Sequence, residues 1–130
     1  MQRYRKFIKK GVAEPLLKIP FHGKAPIKRL SMLSKKLVPK SNTHVAVHFV
    51  DSKKKFPQYS FLHKHDCDEI NLILSESGKL TYKIQLDNEL YRVSSPSTVF
   101  IPKGVRHNAN VVSGKGIFVC IILSDDYKTE

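Results

Sequence analysis

From Thr43 to Leu123 the chain consists of short apolar runs separated by turn residues, and this rhythm constrains the fold more than any other feature. In Thr43–Val50 the alternation is clear: Val45, Val47 and Phe49 share one face, and His44, Ala46, His48 and Val50 share the other. Side chains that alternate in this way line the two faces of a strand. Further runs follow at Tyr59–His65, Ile70–Ser75, Lys79–Leu86, Glu89–Val93, Ser97–Ile101, Asn108–Val112 and Ile117–Leu123. A hairpin turn is predicted at Ser77-Gly78, a second turn at Asp87-Asn88 and a third between Gly114 and Gly116. Lys53–Pro57 reads as a loop from its charge and its proline. No helical periodicity of any length follows Val45. Many short strands with regular turn signals predict an all-β sandwich or barrel. Arg29–Ser34 alternates loosely and belongs to the same pattern. Residues 1–27 carry Pro15, Pro20, Pro26, Gly11 and Gly23, which limit any helix to short pieces and predict an arm folded over the domain or onto a partner subunit.

Within this framework His63 and His65 stand two apart in an apolar run that also holds Tyr59 and Phe61. On a strand that spacing projects both imidazoles, and both aromatic rings, from one face. Glu69 adds a carboxylate just beyond, and His107 is a third imidazole from a separate segment, Pro102-Lys-Gly-Val-Arg-His107. Imidazole and carboxylate together suit iron, manganese, nickel or zinc and leave coordination positions open for a substrate. His63, His65, Glu69 and His107 are therefore expected to close on one divalent transition metal ion.

The paired phrases His63-x-His65-x-x-x-Glu69 and Pro102-x-Gly104-x-x-His107 resemble the two motifs of the cupin superfamily. The resemblance implies a double-stranded β-helix, or jelly-roll, barrel in which the first motif supplies two histidines and a glutamate and the second the last histidine. It covers about residues 57–110, with strand-rich flanks that fit the same barrel. The family's opening glycine falls at Pro57, its closing glycine at Glu76 with Gly78 two places on, the second motif's opening glycine at Pro96 and its asparagine at Val111. These departures touch turns and leave all four ligands in place. The expected organisation is an arm over residues 1–27, a cupin-like barrel over 28–125 and a tail over 126–130. Members of the family include isomerases, lyases, decarboxylases, dioxygenases and non-enzymatic binding proteins. The expectation is a metal-dependent protein, leaning towards an isomerase, lyase or dioxygenase type of enzyme, acting on a small polar or anionic molecule such as a carboxylate or sugar derivative. The alternative is a binding or sensing module without turnover.

Other residues carry two readings. His44 and His48 either reach the pocket as acid–base groups or are exposed strand histidines, and Tyr59 is a third candidate for proton transfer. Arg106 either grips an anion at the barrel mouth or is a loop charge. Asn71 shares the alternation of Glu69, and Asn71, Phe61 and Tyr82 are candidate substrate contacts. Cys67 reads as a loop residue beside Asp66 and Asp68, or as a reactive thiol, and Cys120 as core packing.

The 130 residues make one domain, large enough for a core, and 41% are apolar. The net charge of +12 would attract anions. Its lysines are not interleaved with aromatics, so a solvated basic surface is preferred to specific nucleic-acid binding. No apolar run reaches the length of a membrane span, and no signal-peptide core follows the basic first ten residues. Two cysteines are too few for a disulfide framework. A soluble cytoplasmic protein without a membrane partner is expected, as a homodimer that buries the apolar residues of the arm.

Overall fold

The computed structural model describes residues 2–53, 56–76 and 78–130. The strands are β1 (Val12–Ala13), β2 (Lys28–Leu33), β3 (His44–Ser52), β4 (Glu69–Leu74), β5 (Thr81–Leu86), β6 (Glu89–Ser94), β7 (Ser97–Ile101) and β8 (His107–Ile122). Single 3-10 turns at Arg5–Phe7 and Leu16–Lys18 are the helical elements among the described residues. All pairing is antiparallel, in the order β1-β2-β3-β8-β4-β7, with β5 joined to both β6 and β8. This is the all-β, jelly-roll type of fold that the strand rhythm and the paired motifs predict.

β8 organises the barrel. Its first half, from His107 to Ser113, pairs with β5, and its second half, from Gly114 to Ile122, pairs with β3 and β4. One strand thus belongs to two sheets and folds them face to face. Two runs were expected here, with a turn at Gly114–Gly116; instead the strand bends without ending. Gly114 has φ +102°, and a Cβ there would stand 1.7 Å from the Lys79 carbonyl oxygen. A Cβ at Gly116 would stand 2.1 Å from the Leu74 carbonyl oxygen. These glycines permit the bend and the close approach of backbone on both sides, and neither needs a turn.

Two other expectations change. The predicted hairpin at Ser77-Gly78 would pair β4 with β5, but β4 pairs with β7 and β8, and β5 with β6 and β8. The connection therefore crosses between sheets; Ser77 itself lies outside the described residues, as do Lys54 and Lys55 of the predicted loop. Tyr59–His65 runs extended but makes only isolated bridges, Ser60 to His22, His63 to His107 and His65 to Thr129. The turn at Asp87-Asn88 is found as expected: Leu86 faces Glu89 across it, and Asp87 takes φ +51°.

The core lies between the two sheets. Leu80, Tyr82, Ile84 and Val111 from one side meet Val50, Ile73 and Phe118 from the other. Burying each such side chain contributes about 1.5–3 kcal/mol. Leu16, from the arm, enters the same cluster, while Phe7, Ile8, Val12 and Leu17 stay exposed. Along β3 it is Ala46, His48 and Val50 that face inward, so the alternation read from sequence holds with its histidine-bearing face to the interior.

Candidate metal centre

Backbone and amide hydrogen bonds deliver the two histidine-bearing segments to one place. His63 and His107 exchange both of their backbone hydrogen bonds, at 3.1 and 2.7 Å. The Gly104 N–H donates to the His65 carbonyl, which docks the turn before His107 onto the first motif. Upstream, Asn110 Oδ1 accepts from the N–H groups of Tyr59 and Ser60, and its Nδ2 donates to the Ser60 carbonyl. Asn110 thus anchors the start of this segment, where the Gly23 N–H also donates to the Tyr59 carbonyl and the Phe61 N–H to the Phe21 carbonyl. Asp68 Oδ1 accepts from the Lys103 N–H and Asp66 Oδ1 from the Lys128 N–H. These bonds make the acidic residues on either side of the half-buried Cys67 ties between the first motif, the turn before His107 and the tail.

The ligand atoms of His63, His65 and His107 lie within 4.8 Å of one another, and all three residues are buried. The second nitrogen of each ring is engaged. His63 Nδ1 is 2.6 Å from the Phe61 carbonyl, His107 Nδ1 is 2.9 Å from the Val105 carbonyl, and His65 Nδ1 is 3.0 Å from Thr129 Oγ1. Such contacts fix the ring and leave Nε2 as the metal-binding atom. Glu69 Oε1 sits 3.2 Å from His65 Nε2 and 3.3 Å from His107 Nε2, with Asn71 Nδ2 donating to its other oxygen at 2.8 Å. His107 Nε2 is buried without an aligned hydrogen bond among the described residues. Three imidazole nitrogens beside one carboxylate oxygen, one of them unpartnered, fit a divalent ion.

Electrostatics follow the same geometry. Burial alone would raise the Glu69 carboxyl, but His107, His65 and Asn71 outweigh it and hold it below the usual carboxylate range. Burial likewise opposes charge on His107, yet Glu69 beside it raises that imidazole. His63 is lowered to about 4, first by burial and then by its histidine neighbours. Glu69 is anionic and His63 neutral near pH 7, the states a cation requires of its ligands.

Searches by sequence find no matching family model and no matching curated protein. Solved structures do match. A cupin 2 domain-containing protein from Halorhodospira halophila superposes with TM-score 0.60 at 13% identity, over 78% of this chain and 66% of that one, just under two thirds of its length. A cupin protein from Bacteroides fragilis gives 0.58 at 18% identity, covering 97% and 88% of the two chains. The polyketide cyclase RemF from Streptomyces resistomycificus gives 0.59 at 16% identity, covering 100% and 84%.

The chain has the cupin fold.

Inside this cupin barrel a cavity of about 70 Å³ opens beside the histidines. Tyr59, Asn71, Tyr82 and His48 line it with the four expected ligands. Three other candidates do not. Phe61 is 45% exposed, because the segment lacks a ladder and does not keep strict alternation, so the expected aromatic floor is Tyr59 without Phe61. Arg106 is exposed, since His107 beside it points inward, and its N–H donates to Asp87 Oδ1. His44 is half-buried against Asp125, 3.6 Å away, and stands outside the cavity.

The cavity also holds residues that sequence reasoning missed. His22 comes from the arm, its ring 5.3 Å from His63. Tyr127 and Thr129 come from the tail, with the Tyr127 ring 5.0 Å from that of His65. Cys120 packs against the core as expected and also borders the cavity, paired in register with Asn71 and Ala46, and burial raises its thiol well above the ordinary range. Arg29 is buried and donates from Nε to His48 Nε2 at 3.1 Å. Its ion pair with Glu14 had one sequence signal: Glu14 is the only acidic residue among the first fifty. Nothing in the sequence marks which of many basic residues it would meet.

Proposed function

We propose that this chain is a metal-dependent enzyme of cupin type that acts on a small polar or anionic molecule held in the barrel. The observation that carries the reading is the buried cluster of His63, His65 and His107, each ring fixed through Nδ1, with the Glu69 carboxylate against it. Iron, manganese, nickel or zinc suits this donor set. When bound, such an ion polarises a ligand oxygen or activates water or dioxygen. His63, His65, Glu69 and His107 would hold it, and Asn71 orients the carboxylate. Tyr59 and His48 are the candidates for handling protons, because each presents to the cavity wall a polar atom without a well-aligned partner among the described residues. The enclosure by Ile122, Phe118 and Tyr82 excludes bulk water and strengthens interactions with charge that develops on a ligand. An isomerase, lyase or dioxygenase reaction is consistent with such a centre.

Metal analysis tests this directly. Protein purified without added metal, beside a His63→Ala/His65→Ala variant, is expected to carry near-stoichiometric metal in the parent and little in the variant. Equal and negligible metal in both, even after reconstitution, would refute the proposal.

A further inference from the structure

The cavity has a second polar layer, away from the histidine cluster. Its position follows from strand register. Glu69 pairs with Ile122 and His48 with Phe118, so the two rows lie four positions apart on β8, or about 13 Å at ~3.3 Å per residue. On the facing sheet His107 pairs with Leu86 and Val111 with Tyr82, again four positions apart on β8. Tyr82 stacks on Phe118 with ring centroids 4.6 Å apart, and the phenol of Tyr59 is its neighbour. His48, Tyr59 and Tyr82 therefore share a layer one level beyond the metal ligands.

Each of these three carries a buried polar atom without a well-aligned hydrogen-bond partner among the described residues, His48 Nδ1 and the hydroxyls of Tyr59 and Tyr82, although the two phenols stand within reach of each other and Tyr59 within reach of the Val111 backbone. All three side chains are more than nine-tenths buried and line the cavity. Buried polar atoms are nearly always paired, so hydrogen-bonding capacity left open in one layer indicates a partner that is not part of the chain. The proton on His48 is assigned by Arg29. A guanidinium has only donors, so His48 Nε2 must accept and Nδ1 must carry the hydrogen. Glu14 in turn neutralises Arg29. With one phenol donating to the other, the layer offers the His48 N–H and one O–H as donors, and no net positive charge.

We propose that this layer is a recognition site for an uncharged oxygen acceptor, a carbonyl, with His48 and the paired Tyr59 and Tyr82 phenols as its two donors and the Glu14–Arg29 pair setting the tautomer that donates. The inference rests on the metal reading above and sharpens it, because it makes the ligand two-ended. One oxygen function meets the metal ligands and a carbonyl meets the deep layer. A carboxylate at the deep end would be buried without a counter-charge, since Arg29 is already held by Glu14. The small cavity restricts the ligand to a short molecule, because each water-sized group takes on the order of 10–15 Å³.

Three probes separate the possibilities: 4-oxopentanoate, pentanoate, which lacks only the carbonyl oxygen, and glutarate, which ends in a second carboxylate. Their binding is measured calorimetrically on zinc-loaded protein, after zinc content has been determined for the parent, His48→Leu and Tyr82→Phe. The parent is expected to bind 4-oxopentanoate about tenfold more tightly than pentanoate, equivalent to about 1.4 kcal/mol, and glutarate no more tightly than 4-oxopentanoate. In both variants the preference is expected to fall to about twofold or less with zinc content unchanged. No carbonyl preference in the parent, absence of measurable binding included, overturns the proposal. So does a preference that survives in both variants, or tighter binding of glutarate. A parent that fails to hold zinc sinks the metal reading alone. The carbonyl preference is then measured on metal-free protein, and its absence there overturns the deep site as well.

Discussion

At the scale of single residues, the site is a set of side chains whose useful atom is selected by a second contact. His65 illustrates the dependence. Its Nδ1 meets Thr129 Oγ1, a residue 64 positions away, and that contact turns Nε2 towards Glu69 and the other imidazoles. Outer partners of metal-bound histidines typically control affinity by 10–100-fold. Thr129→Val is accordingly expected to weaken metal binding about tenfold while leaving the far-ultraviolet circular dichroism unchanged. A chelator competition titration checks it, and equal affinities would show that Thr129 is only packing. The spacing of His63, His65 and His107 was legible from sequence because ligand chemistry needs those residue types there. Thr129, Tyr127 and His22 were not, since an isolated threonine, tyrosine or histidine carries no spacing to read. Phe61 was misplaced because period-two alternation predicts a face only where a continuous ladder enforces it, and this segment has isolated bridges, with Asn110 holding Tyr59 and Ser60 and the Phe21 carbonyl holding the Phe61 N–H.

At the scale of elements, β8 decides the architecture. Its bend at Gly114 lets one strand pair with β5 below and with β3 and β4 above. Gly114→Ala would place a methyl 1.7 Å from the Lys79 carbonyl at φ +102°. The overlap and the left-handed backbone together are expected to cost at least ~3 kcal/mol. Gly104→Ala is the matched comparison. It shares the positive φ, at +82°, but its Cβ meets nothing within 4 Å, so about 1–2 kcal/mol of strain is expected. Urea unfolding of both variants measures the difference, and equal costs would contradict the close approach at Lys79. The element boundaries from β5 to β7 were readable because alternation and the Asp87-Asn88 turn are local. The bend in β8 was mistaken for a turn because a glycine that admits a neighbouring backbone looks, in sequence, like one that reverses the chain.

At the scale of the whole molecule, the cavity imposes a pH dependence on folding. His48 is lowered from 6.5 to about 3, chiefly by burial and then by Arg29. An unfolded chain takes up this proton as the pH falls through 6.5, and the folded one does not until about 3. His48 therefore contributes stability that is full above pH 6.5 and is lost on acidification towards pH 3. Between pH 7 and 5 the metal-free parent is expected to lose about 2 kcal/mol more than His48→Gln, which retains an acceptor for Arg29. His107, with its raised pKa, acts in the opposite direction, and His63 in the same direction as His48. Both are common to parent and variant and cancel in the difference. Urea titrations at the two pH values test it, and parallel losses would show that His48 is not held neutral.

By itself the sequence determined that this chain forms short antiparallel strands and that His63, His65, Glu69 and His107 could meet on one ion. Both follow from local rules, alternation in one case and ligand chemistry at fixed spacing in the other. Tertiary structure decided what surrounds them. It brought His22 from the arm, Arg29 from β2 with its ion-pair partner Glu14 behind it, and Tyr127 and Thr129 from the tail to one cavity, and it turned the His48 face of β3 inward. Those outcomes depend on which strands share a sheet and where β8 bends, and no stretch of sequence holds that information alone.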